Sequence, residues 1–314
     1  MQDFTYILSL TSPTFILILI GFVAVRFGFL EKDNVRTLAW FVVNIGLPAA
    51  MFKALSSRSF QDILHYDYLL IYGLGSLISF SGLFLLAKFR GKPLTESALL
   101  GLGGSISNSL MIGFPIVMQL FGDAALVPFA LTLIIENLFI LPLALALADT
   151  GQHKGVSFAK ALAKSLPALL KNPIIFSMAL GLMATIADLQ PPQFIGRVID
   201  MLSVTVGGVA LFAIGGMLVG LKPRGMVADL STIVFGKLVL HPLSVFAMIL
   251  LFPPMSPLFQ TVAIILACMP MFSVYAVIGM RYNLGGVCSA VLLPTTVLAF
   301  LSVNLVIWLL GVQQ

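Results

Sequence analysis

Residues Ser105–Pro115 read SISNSLMIGFP, and the stretch lies inside one of the most apolar parts of a very apolar chain. Six polar or helix-disturbing residues, Ser105, Ser107, Asn108, Ser109, Gly113 and Pro115, fall within three helical turns. The surroundings explain why this matters. The 314 residues are 60% hydrophobic and only 9% charged, with a mean hydropathy of +1.10, against roughly 25% charged residues in a soluble domain. A chain of this composition cannot keep its surface wet, so it belongs in a bilayer. Lipid offers backbone N–H and C=O groups no partner, which leaves helices or closed barrels as the spanning structures. The apolar runs here are continuous and do not alternate over about ten residues as barrel strands do. The fold class is therefore all-α.

Runs of about 20 apolar residues, bounded by charges, turns or Gly/Pro clusters, fall at 6–27, 34–55, 67–88, 95–121, 124–148, 172–188, 193–220, 229–252, 256–281 and 285–311. These ten stretches predict ten transmembrane helices. MQDFTYILSL has neither a basic n-region nor a small-residue cleavage site, so it reads as the entry to a retained first span. Asn172–Pro173 is a capping residue followed by proline at the first helical position. In the long connection before it, SFAKALAKSLPALLK predicts an amphipathic helix on the membrane surface.

The basic residues set the orientation. Arg26, Lys32, Arg36, Lys88, Arg90, Lys92, Lys154, Lys160, Lys164, Lys171, Lys222, Arg224 and Arg281 follow odd-numbered spans; Lys53, Arg58 and Arg197 lie on the other side, and Lys237 falls within span 8. The positive-inside rule makes the first side cytoplasmic and places both termini outside. The net charge of +5 is thus a loop property and not a nucleic-acid footprint. Five spans in each half, 1–149 and 172–314, joined by a cytoplasmic loop at 150–171, predict two inverted five-helix repeats, a recurrent architecture of secondary transporters.

Pro115 in span 4 and Pro270 in span 9, within ACMPMFSVYAV (267–277), stand at matching places in the two halves. Each proline removes an N–H and clashes with the carbonyl four residues earlier. Both spans are therefore predicted to break in mid-membrane, where free backbone is tolerated only against protein or a wet cavity. The N-termini of the resulting half-helices suit an anionic group. Candidate substrate contacts are Asn108, Ser109, Gly113 and Pro115 on the first broken span, Met269, Pro270 and Ser273 on the second, and Asn44 on span 2. A proline that merely bends a helix is the plainer alternative.

Deep ionisable residues are few. Glu136 lies in span 5, and Lys237 and His241 lie one turn apart on span 8. They read either as coupling or anion-attracting groups or as a structural Glu–Lys bridge. Asp200 reads as interfacial. The Gly207–Gly208 and Gly215–Gly216 pairs point to close helix contacts on span 7. Two cysteines, Cys268 and Cys288, in apolar surroundings give no metal or disulfide expectation. No phosphate loop is present, and no nucleophile and base share a recognisable spacing, so no cofactor and no enzymatic activity are expected.

NSLMIGFP (108–115), NIGLPAAMF (44–52), KNPII (171–175), KLVLHP (237–242), MP (269–270) and LPTTVL (293–298), in this order across nearly the whole chain, resemble the auxin efflux carrier family of plant PIN carriers and bacterial dicarboxylate permeases. The resemblance implies a scaffold of spans 1, 2, 6 and 7 beside a transport unit of spans 3–5 and 8–10, with spans 4 and 9 crossing at the substrate. It also implies elevator-type movement of a small organic anion, in a bacterial inner membrane. The short central loop departs from plant members. Cys268 and Met269 stand where an amide is expected, which makes the second crossing less polar than the first. A sodium-coupled carrier of the bile-acid type and a solute-sensing receptor are the alternatives, and homodimer formation is left open.

Overall fold

The computed structural model describes residues 4–56, 63–152, 157–163, 171–220 and 227–311, with side chains described from residue 11. It is helical throughout. Among the described residues, six helices are long and apolar enough to cross a membrane, and shorter apolar helices lie beside them. In chain order these are α1 (Phe4–Arg26), α2 (Lys32–Ser56), α3 (Tyr66–Phe89), the pair α4a (Leu94–Ser105) and α4b (109–121), α5 (126–152), α6 (Pro173–Ile186), α7 (Gln193–Leu218), α8 (Ala228–Leu251), the pair α9a (Pro257–Ala267) and α9b (Tyr275–Arg281), and α10 (Gly285–Leu309). The expected surface helix is seen only as a helical stretch at 158–163; the rest of it lies outside the described residues, as do Arg58, His153, Lys154, Lys164, Lys222 and Arg224.

The helix run at 109–152 is too long to cross once, since 44 residues rise about 66 Å at 1.5 Å each. It folds back at Gly122, where a positive φ of 56° is open to glycine and costly for other residues. The rings of Phe114 and Phe129 then come within 5.0 Å of each other, although 15 positions of straight helix would part them by about 22 Å. α4b and α5 are an antiparallel hairpin.

One local feature recurs. The helices widen to π-helical turns at Val42–Gly46, Ser109–Gly113, Ile135–Ile140 and Gly236–Leu240. In every case a proline follows two residues after the turn: Pro48, Pro115, Pro142 and Pro242. Widening the turn removes the clash between the proline ring and the carbonyl one turn back, and it absorbs the missing donor. Proline therefore does not interrupt these helices. The interruption of the fourth span lies at Ile106–Asn108, ahead of Pro115, so the expectation that Pro115 makes the break is corrected: Pro115 rides on a π turn that has already made room for it. Pro270, by contrast, sits inside the non-helical segment 268–274.

Two packing groups are evident. α1 packs along α7, and α2 packs against both α6 and α7. The α1/α7 contact is closest at reciprocal glycines. A Cβ on Gly21 would stand 1.9 Å from the carbonyl oxygen of Phe212, and one on Gly215 would stand 1.8 Å from that of Ile18. In the other group α3 packs on α4a and α8, and α4a on α5. Its loop ends are tied by charge. Lys92 bonds to both Glu96 and Asp229, and Arg281 and Tyr282 both reach Asp149. Burial alone would lower the Lys92 pKa, but its two acidic partners outweigh that and raise it. Burial and the neighbouring Asp149 carboxylate together raise that of Tyr282.

Candidate functional site: a crossing of two unwound helices

α4 and α9 come out of helix at the same place and pair there. Ser107 and Met271 form an isolated antiparallel bridge, and the Asn108 N–H donates to the Pro270 carbonyl at 2.6 Å. The side chains continue the join, with the Asn108 amide donating to the Ser273 hydroxyl at 3.2 Å. Asn108 also caps the α4b half-helix, its carbonyl oxygen accepting from the Met111 N–H at 3.4 Å. Two unwound peptide segments thus satisfy part of each other's backbone demand, as buried backbone must.

A fully buried polar network surrounds this pairing. Glu136, on the π turn of α5, accepts from the Tyr72 hydroxyl (3.1 Å), the Ser107 N–H (3.2 Å) and the Ser109 hydroxyl (2.9 Å), all at Oε1. Lys237, on the π turn of α8, directs its three donors at the Ser107 hydroxyl (2.9 Å), His241 Nδ1 (2.7 Å) and the Ala267 carbonyl (2.7 Å). An ammonium has three N–H bonds, so Lys237 is saturated. With Nδ1 accepting, the His241 proton belongs on Nε2, which bonds the Ser76 hydroxyl at 2.9 Å. Glu136 and Lys237 do not touch; Ser107 stands between them, giving its N–H to one and its oxygen to the other. A direct Glu–Lys bridge is therefore corrected to a serine-mediated pair.

The half-helix ends explain where the charges sit. Lys237 caps Ala267, the last residue of α9a, whose carbonyl end carries partial negative charge. Glu136 accepts from the amide just ahead of α4b, whose N-terminal end is partly positive. The carbonyl end of α4a has a neutral cap instead: Ser79 donates to Gly104 at 2.8 Å, and the Ser105 hydroxyl turns back on its own helix to Gly101 at 2.8 Å.

Two cavities flank the crossing. One, of about 320 Å³, has Asn108, Met271, Ser273 and Thr296 on its wall and reaches Lys32 and Arg36. The other, of about 240 Å³, is lined by Ser107, Asn108, Glu136, Asn137, Asn172 and Ser273 among apolar residues. Asn108 and Ser273 face both. On the opposite side Pro115 and Phe114 line a smaller cavity of about 140 Å³ with Lys53, Asp123, Ser203 and Gly207. There Lys53 of α2 pairs with Asp123 and with Asp200 of α7, each at 3.1 Å. An anion entering from the Lys32 side would meet amide and hydroxyl donors at the crossing.

The nominated residues divide accordingly. Asn108 and Ser273 line the cavities, and Pro270 supplies the pairing carbonyl. Ser109 is spent on Glu136. Met269 is fully buried and packs at Gly113, where a Cβ would come within 2.7 Å of Leu266 and 3.3 Å of Met269; this glycine allows α9 to approach. Asn44 turns back on its own helix, donating to the Trp40 carbonyl at 2.9 Å. Cys268 and Cys288 are buried and free. Sequence reasoning did not nominate Ser107, Tyr72, Ser76, Asn137 or Lys53. The missed signal was the phase of the prolines: Ser109, Glu136 and Lys237 each stand five or six residues before one, inside a π turn, and such turns concentrate at functional sites.

Residues 6–307 match the family described as "Membrane transport protein". The chain is 29% identical over 314 aligned residues to the "Putative malonate transporter" of Rhizobium meliloti (strain 1021), an alignment covering 97% of this chain and 96% of that one. It is 24% identical over 253 residues to the "Uncharacterized transporter YfdV" of Escherichia coli (strain K12), covering 76% and 77%. A 25% identity over 246 residues to the "Lysosomal cholesterol signaling protein" of Mus musculus covers 72% of this chain and 28% of that longer protein.

Proposed function

The chain belongs to the membrane transport protein family, and from that premise we propose that it is a secondary carrier for a small carboxylate, with a malonate-like dianion as the first candidate. The observation that carries this reading is the paired crossing, where Asn108 and Ser273 present neutral donors to a cavity whose mouth bears Lys32 and Arg36. Fixed amide and hydroxyl donors suit a carboxylate that must bind and leave again. Support for the substrate class comes from the 29% identical relative and its printed name.

In this reading the chain forms ten spans as two inverted five-helix repeats, 1–149 and 172–314, joined by a cytoplasmic connection, with both termini outside an inner membrane. The group of α1, α2, α6 and α7, locked by its reciprocal glycines, serves as the scaffold. The group built on α3–α5 and α8–α10 carries the crossing across the bilayer. In this reading the arrangement is the inward-facing one: the cavity of about 320 Å³ reaches Lys32 and Arg36, and the Lys53 pairs with Asp123 and Asp200 hold the outer side shut. The Lys237 ammonium already occupies the Ser107 hydroxyl, the His241 ring nitrogen and the Ala267 carbonyl, which argues against a sodium ion held by those acceptors.

Uptake of radiolabelled malonate into proteoliposomes tests the reading. Saturable uptake, unaffected when potassium replaces sodium, is expected. Failure to move any mono- or dicarboxylate would overturn it, and binding without net flux would assign the site to a receptor.

A further inference from the structure

Glu136 is held in an unusual way. Its residue is 3% exposed, and the donors it meets, Tyr72, Ser107 and Ser109, all converge on Oε1. Among the described residues, Oε2 meets no hydrogen-bond donor, although the residue lines the 240 Å³ cavity that Asn108 and Ser273 also line. A buried carboxylate with three donors on one oxygen and none on the other, in the wall of a cavity shared with Asn108 and Ser273, is built to bind something at that second oxygen.

The charges facing Glu136 narrow the choice. From α3 come Tyr68 and Tyr72 and from α8 Lys237; His241 and, on the unwound segment of α9, Cys268 lie against Lys237. Tyr68 bonds Thr132 at 2.7 Å, and His241 is hydrogen-bonded on both nitrogens. The fixed pair of Glu136 and Lys237 is neutral across Ser107. Admitting a carboxylate to the same cavity adds a negative charge beside an ionised Glu136, and two like charges sharing a desolvated site repel, which favours a proton on one of them. A proton on Oε2 removes the repulsion and turns that oxygen from an acceptor into a donor.

We infer that Glu136 is the proton-carrying site of this transporter: Oε2 takes a proton from water on one side, the protonated carboxyl accompanies the anion through the membrane, and the proton returns to water on the other side as the anion leaves. The inference rests on the carrier reading above. It fixes a charge balance. A monoanion moves with one proton and no net charge, whereas a dianion moves with one proton and carries a single net negative charge. Oε1 keeps its three donors in both protonation states, so the site loads and unloads without taking the crossing apart. The Lys237 ammonium keeps its three acceptors throughout.

The test uses the full chain in proteoliposomes loaded with a pH-sensitive dye, with malonate added outside. Wild-type protein is expected to change the internal pH in step with malonate entry, and an inward proton gradient is expected to drive accumulation at least about tenfold above the equilibrated level. Glu136→Gln keeps an oxygen for the same three donors and mimics the protonated state. It is expected to exchange labelled for unlabelled malonate with a flat pH profile, to move no protons and to lose the gradient-driven accumulation. Malonate flux in the wild type without proton movement, or proton coupling that survives in Glu136→Gln, overturns the inference while leaving the carrier reading intact. No carboxylate flux in the wild type overturns both. Glu136→Asp serves as the control for folding: its shorter carboxylate is expected to retain proton-coupled flux with a shifted pH profile, and a flat profile there would also overturn the inference.

Discussion

Between α4a and α4b the chain leaves helix for three residues, 106–108; between α9a and α9b it does so for seven, 268–274. Both segments meet at the same crossing and share hydrogen bonds, yet they meet unlike surroundings. The carbonyl end of α4a is capped by the Ser79 hydroxyl, and the carboxylate of Glu136 sits at the start of α4b. The carbonyl end of α9a is capped by the Lys237 ammonium. A neutral cap contributes about 1 kcal/mol, whereas a buried charge contributes to stability only while its partners stay in place. The two segments therefore repeat a backbone solution but not a set of side chains, and one charge of each sign is divided between them with Ser107 as the link. This is why the second crossing, apolar by its own sequence, is not apolar in space.

The difference can be broken at Lys237. Lys237→Met leaves Glu136 without its countercharge and Ala267 uncapped, and a loss of about 3–5 kcal/mol is expected from breaking a buried pair, read as a much lower unfolding temperature in detergent together with loss of transport. Asn108→Ala removes the amide that serves both segments and both cavities; malonate uptake should fall about 10- to 100-fold, equivalent to the roughly 1.4–2.8 kcal/mol of one or two lost hydrogen bonds, with the folded yield preserved. Ser273→Ala removes the acceptor on the other strand only, and a smaller loss of about 3- to 10-fold is expected in the same assay. Ser79→Ala should be mildest, about 1 kcal/mol in thermal unfolding with uptake retained. If Ser79→Ala proved as damaging as Lys237→Met, the contrast between neutral and charged caps would be lost.

Much of this was legible in the residues. Apolar runs placed the helices within a few positions, because charges, turns and Gly/Pro clusters bound each run where the chain leaves helix. Asn108 and Pro270 were visible as polar or breaking residues in hydrocarbon. The position of the first break was not, since proline chemistry pointed to Pro115 while the π turn at Ser109–Gly113 moved the interruption upstream. Nor was the role of Ser107 visible: its side chain is ordinary, and its importance comes from α5 and α8 arriving on either side of it. Asn44 shows the converse. It is as polar as Asn108, but its amide is satisfied one turn away on its own helix, and only three-dimensional proximity separates the two.

The four π turns have a consequence for how this chain tolerates length changes. Each wide turn holds roughly one residue more than an α-turn would, and the widening takes up that surplus while the helix before it and the helix after it stay in phase. Deleting a single residue within Ile135–Ile140 would therefore restore ordinary winding with both flanks of α5 in place, and would abolish only the bulge that carries the Glu136 carboxylate to the crossing. A gap of one position here is a local loss that the rest of the helix can absorb, whereas the same gap in a regular stretch of α5 would turn one flank against the other by about 100°.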